Sequence, residues 1–169
     1  MDDFTMVVQD IGVDEFSSTK TNNVEDEKIH IGVGDLENID DKMFEGYVAC
    51  LFDHLGYQSK VVGKSGDRGA DIMCMGKSDN ILIQAKHTKT KRSIHSSCID
   101  EIRGAKSFYE SQHGKQFKLL AITNYCFHQS TFNASEMGDS VELWDLNRIM
   151  QNIKDKKFTL ADIKRKLNG

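Results

Sequence analysis

The sequence predicts an α/β fold in which helices cover both faces of a mixed central β-sheet. Three observations predict this class. After residue 40, segments with the apolar spacing of helices alternate with short apolar segments typical of strands. The segment from Phe117 to Thr123 is almost continuously apolar, as in a strand that is buried on both faces. The 169 residues are enough for one domain and too few for two ordinary ones.

The spacing of apolar residues predicts five helices. The first begins at Asp40 or Asp41 and ends at Gly56, and its apolar positions are Met43, Tyr47, Val48, Leu51, Phe52 and Leu55. The second ends near Gly114, and its apolar positions are Ile99, Ile102, Ala105, Phe108 and Tyr109. Three more are expected at residues 129–136, 144–153 and 160–167, and the last of these has a basic face.

Five strands are expected between these helices, at residues 57–62, 71–75, 81–86, 117–123 and 141–143. A turn that contains three glycines covers residues 63–69. A second turn near residues 76–80 joins the second and third strands into a pair. The later strands alternate with helices, which is why the sheet is expected to be mixed.

The charge of the chain is unevenly distributed. Residues 1–40 hold eleven acidic and two basic side chains, whereas residues 41–169 hold fifteen acidic and twenty basic ones. The net charge of −4 therefore hides a basic body, which is compatible with DNA binding. We expect residues 1–36 to form an acidic, partly flexible arm that binds a partner or regulates the body, and residues 37–169 to form the domain.

Two apolar patches interrupt the arm. Residues 6–8 and 29–33 could each be a strand or a fragment that becomes ordered only on a partner. The stretch between them, residues 17–23, is polar and is expected to be a loop or disordered.

Several classes of protein are excluded by the composition. No apolar run approaches the length of a transmembrane helix, and the acidic N-terminus lacks the pattern of a signal peptide, so we expect an intracellular, cytoplasmic protein without membrane contact. Four scattered cysteines without a C-x-x-C pair argue against zinc ribbons and redox motifs and favour reduced thiols.

The most informative spacing joins Asp71, Gln84 and Lys86. An acidic residue at the start of one strand lies thirteen residues before a Gln-x-Lys at the end of the next. Positions 84 and 86 alternate onto one face of a strand, while Ala85 points into the core. Oxygen ligands suit Mg²⁺, and a lysine beside such a metal can position a water or help to deprotonate it. These residue types suit metal-assisted cleavage of a phosphodiester.

The chain resembles the Mrr-like branch of the restriction-endonuclease-like superfamily, which is named for its PD-(D/E)xK signature. The motifs that carry the resemblance are Phe44-Glu45, Leu51-Phe52, Leu55-Gly56-Tyr57, the segment from Ser65 to Ile72, Ile83-Gln84-Ala85-Lys86 and Thr123-Asn124. It covers about residues 40 to 150. Two positions depart from the signature. Ala70 replaces its proline, and Gln84 replaces its second acidic residue with the glutamine that this branch usually carries.

The resemblance implies a restriction-endonuclease-like core and the roles of its site residues. Asp71 is expected to bind Mg²⁺ or Mn²⁺, with the amide oxygen of Gln84 and the backbone carbonyl of Ala85 as neutral ligands. Glu45, the helix glutamate, is expected to reach the metal directly or through water. Lys86 is expected to serve the attacking water and the scissile phosphate. Thr123 and Asn124 either orient a site residue or simply end their strand.

Two basic segments beside this site are expected to contact DNA phosphates. The glycine-bearing turn contributes Lys64, Ser65 and Arg68, whose backbone and side chains can bind anions. The segment that follows Lys86 contributes His87, Lys89, Lys91 and Arg92. A charge run of this kind is also found in ordinary solvated loops, so its role depends on how close it lies to the site.

The function expected from these features is metal-dependent hydrolysis of DNA, in a restriction or defence role. The resemblance makes a homodimer plausible, since two active sites would cut both strands. Two alternatives stay open at this point. One is a nuclease like the Holliday-junction resolvases, which reuse the same core for branched DNA. The other is a non-catalytic DNA-binding or assembly subunit in which Gln84 marks a decayed site.

Overall fold

The computed structural model describes residues 24–63 and 68–169. Seven strands occur in this part of the chain: β1 (His30–Ile31), β2 (Gln58–Val61), β3 (Ile72–Met75), β4 (Asn80–Lys86), β5 (Lys118–Thr123), β6 (Val141–Trp144) and β7 (Phe158–Thr159). The α-helices are α1 (Asp41–His54), α2 (Ser97–His113), α3 (Gln129–Ser135), α4 (Leu146–Ile153) and α5 (Leu160–Asn168). A short 3₁₀ helix spans Val33–Asp35.

Strands β2 to β6 form one sheet in the order β2-β3-β4-β5-β6. The first three strands are antiparallel neighbours, while β4, β5 and β6 run parallel to each other. The start of β3 therefore lies beside the end of β4, and the end of β5 lies at the same edge of the sheet. This topology brings the beginning of one strand and the ends of two others together, and the sheet is mixed as predicted.

Helices cover both faces of this sheet. One hydrophobic cluster joins α1, α4 and α5 to one face, and the other joins α2 to the opposite face. Residues along β4 alternate between the two clusters: Ile81 and Ile83 belong to the first, and Leu82 belongs to the second. On β5, every residue from Leu119 to Thr123 is buried. The predicted fold class is confirmed.

Local sequence explains where the helices begin and end. The carboxylate of Asp40 accepts a hydrogen bond from the Met43 amide at 2.7 Å, which caps α1. Asp145 caps α4 in the same way, so this helix begins at Leu146, two residues later than predicted, and Trp144 closes β6. Within the described residues, no helix is both long enough and apolar enough to cross a bilayer.

Both ends of the described chain meet in a structure that we call the terminal cap, residues 24–36 and 158–168. Strands β1 and β7 pair as antiparallel neighbours, with His30 opposite Thr159. Leu36 is 1% exposed and belongs to the same hydrophobic cluster as α1. The sequence assigned residues 24–36 to the acidic arm, whereas the structure packs them on the body. The patch at residues 6–8 and the polar stretch at 17–23 lie outside the described residues.

Candidate active site

Asp71 is held against the end of β4. Its amide donates to the Ile83 carbonyl at 2.8 Å, and its Oδ2 accepts from the Ala85 amide at 2.8 Å. The carboxylate thus lies alongside the peptide that joins Gln84 to Ala85. Its second oxygen, Oδ1, faces Gly63, where a Cβ would come within 2.9 Å of it. Glycine at position 63 therefore leaves room beside the carboxylate.

Gln84 points a polar group into a buried space. The residue is 5% exposed, and its Oε1 has no hydrogen-bond partner among the described residues. A buried amide oxygen without a partner costs roughly 1–3 kcal/mol, so its retention calls for an explanation. A cation that accepts an oxygen ligand at this position would supply one. The donor types, a carboxylate and a neutral amide oxygen, suit Mg²⁺ or Mn²⁺.

Ala85 follows the predicted alternation. Its side chain packs against the cluster that includes α1, on the opposite side from Leu82. Its amide forms the hydrogen bond that fixes Asp71. The role predicted for its carbonyl, as a metal ligand, stays a prediction.

Glu45 of α1 is linked to this end of the sheet through Lys42. The Lys42 ammonium contacts the Glu45 carboxylate at 3.1 and 3.2 Å and donates to the Gly63 carbonyl at 2.9 Å. Glu45 is 8% exposed although it carries a charge. A buried carboxylate requires a partner, and Lys42 supplies one next to the loop that faces Asp71.

Lys86 is the last residue of β4 and contacts α2. Its ammonium lies 2.7 Å from Oε2 of Glu101, and both side chains are partly exposed. The side chain therefore has a defined position while it remains accessible from solvent. The alternation along β4 puts Lys86 on the same face as Gln84, the face that α2 covers.

Within the described ranges, no group of three or more His, Cys, Asp or Glu residues is arranged to hold a metal. An ordinary zinc site takes several such ligands. A Mg²⁺-type site differs, because it takes few protein oxygens and keeps several waters. Asp71 and Gln84 satisfy that smaller requirement.

Cysteine chemistry does not fit this site. All four cysteines are reduced, and Cys98 lies in the first turn of α2, near Lys86 and Glu101. Burial raises the pKa of the Cys98 thiol to about 11, and it raises the pKa of Cys50 and of Cys74 to about 12. These three thiols stay protonated near neutral pH and are poor nucleophiles there.

The loop that follows β4 carries exposed cations without carboxylate partners among the described residues. These are Lys89, Lys91 and Arg92. The hydroxyl of Thr88 accepts from the amides of residues 90 and 92, at 3.3 and 3.2 Å, which folds the loop back on itself. We call residues 88–92 the basic loop.

Asn124 fixes the basic loop to the end of β5. Its side-chain oxygen accepts from the Thr88 amide, and its side-chain nitrogen donates to the Thr88 carbonyl, both at 2.8 Å. Thr123 accepts a hydrogen bond from the Tyr125 amide and ends the strand. Of the two roles left open for this pair, Asn124 orients a neighbouring loop and Thr123 terminates its strand.

His87 does not fit the phosphate contact expected of it. Its side chain is 1% exposed, and its ring packs 5.4 Å from the ring of Phe44. One ring nitrogen contacts the Leu36 carbonyl at 2.6 Å, and the other contacts the Asp41 carboxylate at 3.0 Å. The expectation for His87 is therefore wrong, because both nitrogens bind protein and the ring is buried.

The glycine-bearing turn is described only in part. Lys64 and Ser65 lie outside the described residues. Arg68 is exposed, and its guanidinium stacks on Phe108 at 4.6 Å from the ring centroid. Phe108 was expected on the buried face of its helix but is 38% exposed, and Arg68 packs over its ring.

Sequence reasoning missed Lys42 and Glu101. The Lys42–Glu45 pair has the i, i+3 spacing of neighbours on a helix, so the pairing could have been found locally. Its second contact, with Gly63, joins residues 21 positions apart and has no local signal. Glu101 meets Lys86 only because α2 crosses the end of β4.

Comparison with known proteins identifies the family of this chain. A sequence model of the catalytic domain called Mrr_cat, described as a restriction endonuclease, matches residues 36–153, more than two thirds of the chain. No curated protein matches the chain.

Two solved structures are similar to the fold. One is a protein of unknown function, AF1548, with a TM-score of 0.54 and 12% identity; 66% of each chain is covered. The other is the MspJI restriction endonuclease in complex with a 27-mer oligonucleotide, with a TM-score of 0.43 and 17% identity. In that case, 75% of this chain aligns with 28% of the MspJI chain. At these identities the AF1548 similarity concerns the fold alone.

Proposed function

Because this chain belongs to the restriction endonuclease family, we propose that it hydrolyses DNA phosphodiester bonds with Mg²⁺ or Mn²⁺ as cofactor. Membership in the family indicates a DNA endonuclease, and the proposal adds the metal and the residues that act. The observation that carries it is the buried amide oxygen of Gln84, which has no hydrogen-bond partner among the described residues. The next residue, Ala85, holds the Asp71 carboxylate through its backbone amide, and Lys86 ends the same strand.

The metal would be held by oxygen atoms of four residues. Asp71 supplies a carboxylate, Gln84 an amide oxygen and Ala85 a backbone carbonyl, while Glu45 contributes directly or through water. When bound, such a metal acts as a Lewis acid on the phosphate and lowers the pKa of a bound water. The Ala85 amide keeps the Asp71 carboxylate in place, since it donates to Oδ2.

Lys86 performs the second task of the proposed site. Its ammonium provides a positive charge for the scissile phosphate and a donor that orients the attacking water. The partly exposed side chain remains within reach of DNA. Lys42 has a different task, because its ammonium neutralises the buried Glu45 carboxylate.

The DNA backbone would be bound by the cations around this site. Lys89, Lys91 and Arg92 of the basic loop are our main candidates, and Lys64, Ser65 and Arg68 of the glycine-bearing turn are further ones. Phosphate contacts of this kind orient the duplex without reading its sequence. A restriction role also implies two sites for two strands, so the proposal includes a homodimer, and foreign DNA as substrate implies a cytoplasmic location.

The test is cleavage of supercoiled plasmid by purified protein in Mg²⁺, in Mn²⁺ and in chelator. We expect nicked and linear products in the metal reactions only, and none from Lys86→Ala at an unchanged melting temperature. DNA binding without cleavage in any metal would overturn the enzyme proposal and leave a DNA-binding subunit. A strong preference for four-way junctions over linear duplex would indicate a resolvase instead.

A further inference from the structure

One residue of α2 contacts both halves of the proposed site. The carboxylate of Glu101 lies 2.7 Å from the Lys86 ammonium at the end of β4. The backbone carbonyl of the same residue lies against Gly69, two positions before Asp71, so closely that a Cβ there would be 2.1 Å from its oxygen. Gly69 has a φ of +91°, which glycine adopts without strain. Glu101 thus contacts the backbone two residues before Asp71 and the side chain of Lys86.

Glu101 is presented by a rigid part of the helix. Ile99, Ile102 and Ala105 are completely buried in the cluster between α2 and the sheet. Ala70, which joins Gly69 to Asp71, is buried in the same cluster. Because the helix is tightly packed, the backbone that carries the Glu101 side chain has a fixed position, as a positioning group requires.

A catalytic lysine needs a partner such as a carboxylate if its ammonium is to stay in one position. Its four-carbon stem carries about 2 kcal/mol of rotamer entropy, and a displacement of about 1 Å in an active site can cost a hundred-fold in rate. The Glu101 carboxylate is already engaged by the Lys86 ammonium at 2.7 Å. The contact with Lys86 is the role that its geometry supports.

We propose that Glu101 is a positioning residue, which holds the Lys86 ammonium where it meets the scissile phosphate and the attacking water. The inference rests on the proposed nuclease function and extends it to a residue of α2. It requires that Glu101 affect the chemical step through Lys86, while contributing nothing favourable to DNA affinity, since a carboxylate repels phosphate.

The experiment compares Glu101→Gln with Asp100→Asn. Both substitutions remove one negative charge from adjacent positions of α2. Asp100 is exposed and has no ion-pair partner in the part of the chain described, whereas Glu101 is partly exposed and pairs with Lys86. Single-turnover cleavage, with the enzyme in saturating excess over the DNA, measures the chemical step. Titration of DNA in chelator measures affinity. We expect Glu101→Gln to lower the cleavage rate about ten- to a hundred-fold, with affinity unchanged or higher. Asp100→Asn should cleave like the wild type.

A second measurement reports the ion pair without using activity. Lysine acylation, followed by peptide mass spectrometry, should modify Lys86 faster in Glu101→Gln than in the wild type or in Asp100→Asn. The reactivity of Lys89, an exposed lysine of the basic loop, should be the same in all three proteins.

The outcomes separate this inference from the proposed function. Wild-type protein that cleaves no DNA would overturn the nuclease proposal and the positioning role together. Active wild type with an equally active Glu101→Gln would overturn the positioning role alone. The positioning role would also be overturned if Glu101→Gln weakened only DNA affinity, or if Asp100→Asn lowered the cleavage rate as much as Glu101→Gln. An unchanged rate of Lys86 acylation in Glu101→Gln would overturn it as well.

Discussion

Two groups of three basic residues differ in what surrounds them. The basic loop carries Lys89, Lys91 and Arg92, and helix α5 of the terminal cap carries Lys164, Arg165 and Lys166. Each cation of α5 has a carboxylate partner. Lys164 pairs with Asp26 at 2.8 Å, Arg165 pairs with Glu27 at 2.9 Å, and Lys166 pairs with Asp53. The basic loop has no such partners among the described residues.

The difference fits distinct uses of the same kind of charge, with DNA phosphate as the proposed partner of the basic loop. Cations that already bind carboxylates hold the two segments of the terminal cap together and, through Asp53, attach the cap to α1. A phosphate would have to compete for them. Exposed cations that lack carboxylate partners among the described residues can bind phosphates with release of counterions, which is the use we propose for the basic loop. The basic face of α5 was visible in the sequence, but its use as a structural contact was not.

The largest effect is expected when the terminal cap is broken. Deletion of residues 1–36 removes β1 and the buried Leu36, so the free energy of unfolding should fall by about 3 kcal/mol or more. Deletion of residues 1–23 keeps every contact described above, and the unfolding midpoint in urea should stay near that of the wild type. Equal stability of the two truncated proteins would show that the cap is dispensable.

The shorter deletion also tests the acidic arm. Residues 1–23 carry five acidic side chains and one basic side chain. If this segment competes with DNA for the basic body, its removal should leave affinity at low salt equal or higher. Weaker binding by the folded, truncated protein would rule out such competition.

The next effect concerns the basic loop. Replacing Lys89, Lys91 and Arg92 together with glutamine should weaken binding to all DNA sequences and flatten the plot of log affinity against log salt by about 2 to 3 units. Stability should hardly change, because no ion pair is lost. A slope equal to that of the wild type would mean that the loop is merely solvated.

The matched triple replacement in α5 should give the reverse result. Glutamine at Lys164, Arg165 and Lys166 removes three ion-paired cations, each worth roughly 0.2–1 kcal/mol because they are partly exposed. Urea denaturation should show a loss of about 1–2 kcal/mol, while the salt dependence of DNA binding stays unchanged. A flattened salt dependence would transfer the phosphate-binding role to α5.

The smallest effect is expected at the contact between α1 and the cap. The Tyr47 ring packs 5.4 Å from that of Phe158, and its hydroxyl has no hydrogen-bond partner in the described structure. Tyr47→Phe should therefore be neutral or slightly stabilising at pH 7. A clear loss of stability in urea would reveal a partner for the hydroxyl in solution.

Alkaline titration sharpens this last test. Burial raises the pKa of Tyr47 to about 12, above the ordinary value of about 10. The folded state thus favours the neutral phenol, and this contribution is complete below pH 10 and is lost as the pH rises through 12. Tyr47→Phe should lose less stability than the wild type over that range.

The sequence predicts the sheet and helices well because their signals are local. Apolar spacing, the Asp40 cap and the left-handed glycine at position 114, with a φ of +61°, lie within or next to the elements that they define. The apolar patch at residues 29–33 indicated a possible strand, but the pairing of β1 with β7 had no local signal. Each has two residues, and they pair across more than 120 positions of sequence.

The features of the candidate site also differ in whether they have a local signal in the sequence. The order of Asp71, Gln84 and Lys86 follows from one antiparallel pair of strands, so spacing alone predicts their proximity. Contacts made by α2 and by the terminal cap depend on tertiary packing. For this reason the contact between Glu101 and Lys86 had no sign in the sequence. For the same reason His87, which follows Lys86 in a charged run, was predicted to contact DNA, whereas its ring contacts Leu36 and Asp41.

The most direct test of the proposed site is the rate of plasmid cleavage by Asp71→Asn in Mg²⁺ and in Mn²⁺. The asparagine oxygen can still accept from the Ala85 amide, so the fold should keep its melting temperature while the charge for the metal is lost. We predict a rate at least about a hundred-fold below that of the wild type in both metals. Cleavage at the wild-type rate by the folded variant would contradict the assignment of Asp71, and with it the proposed site.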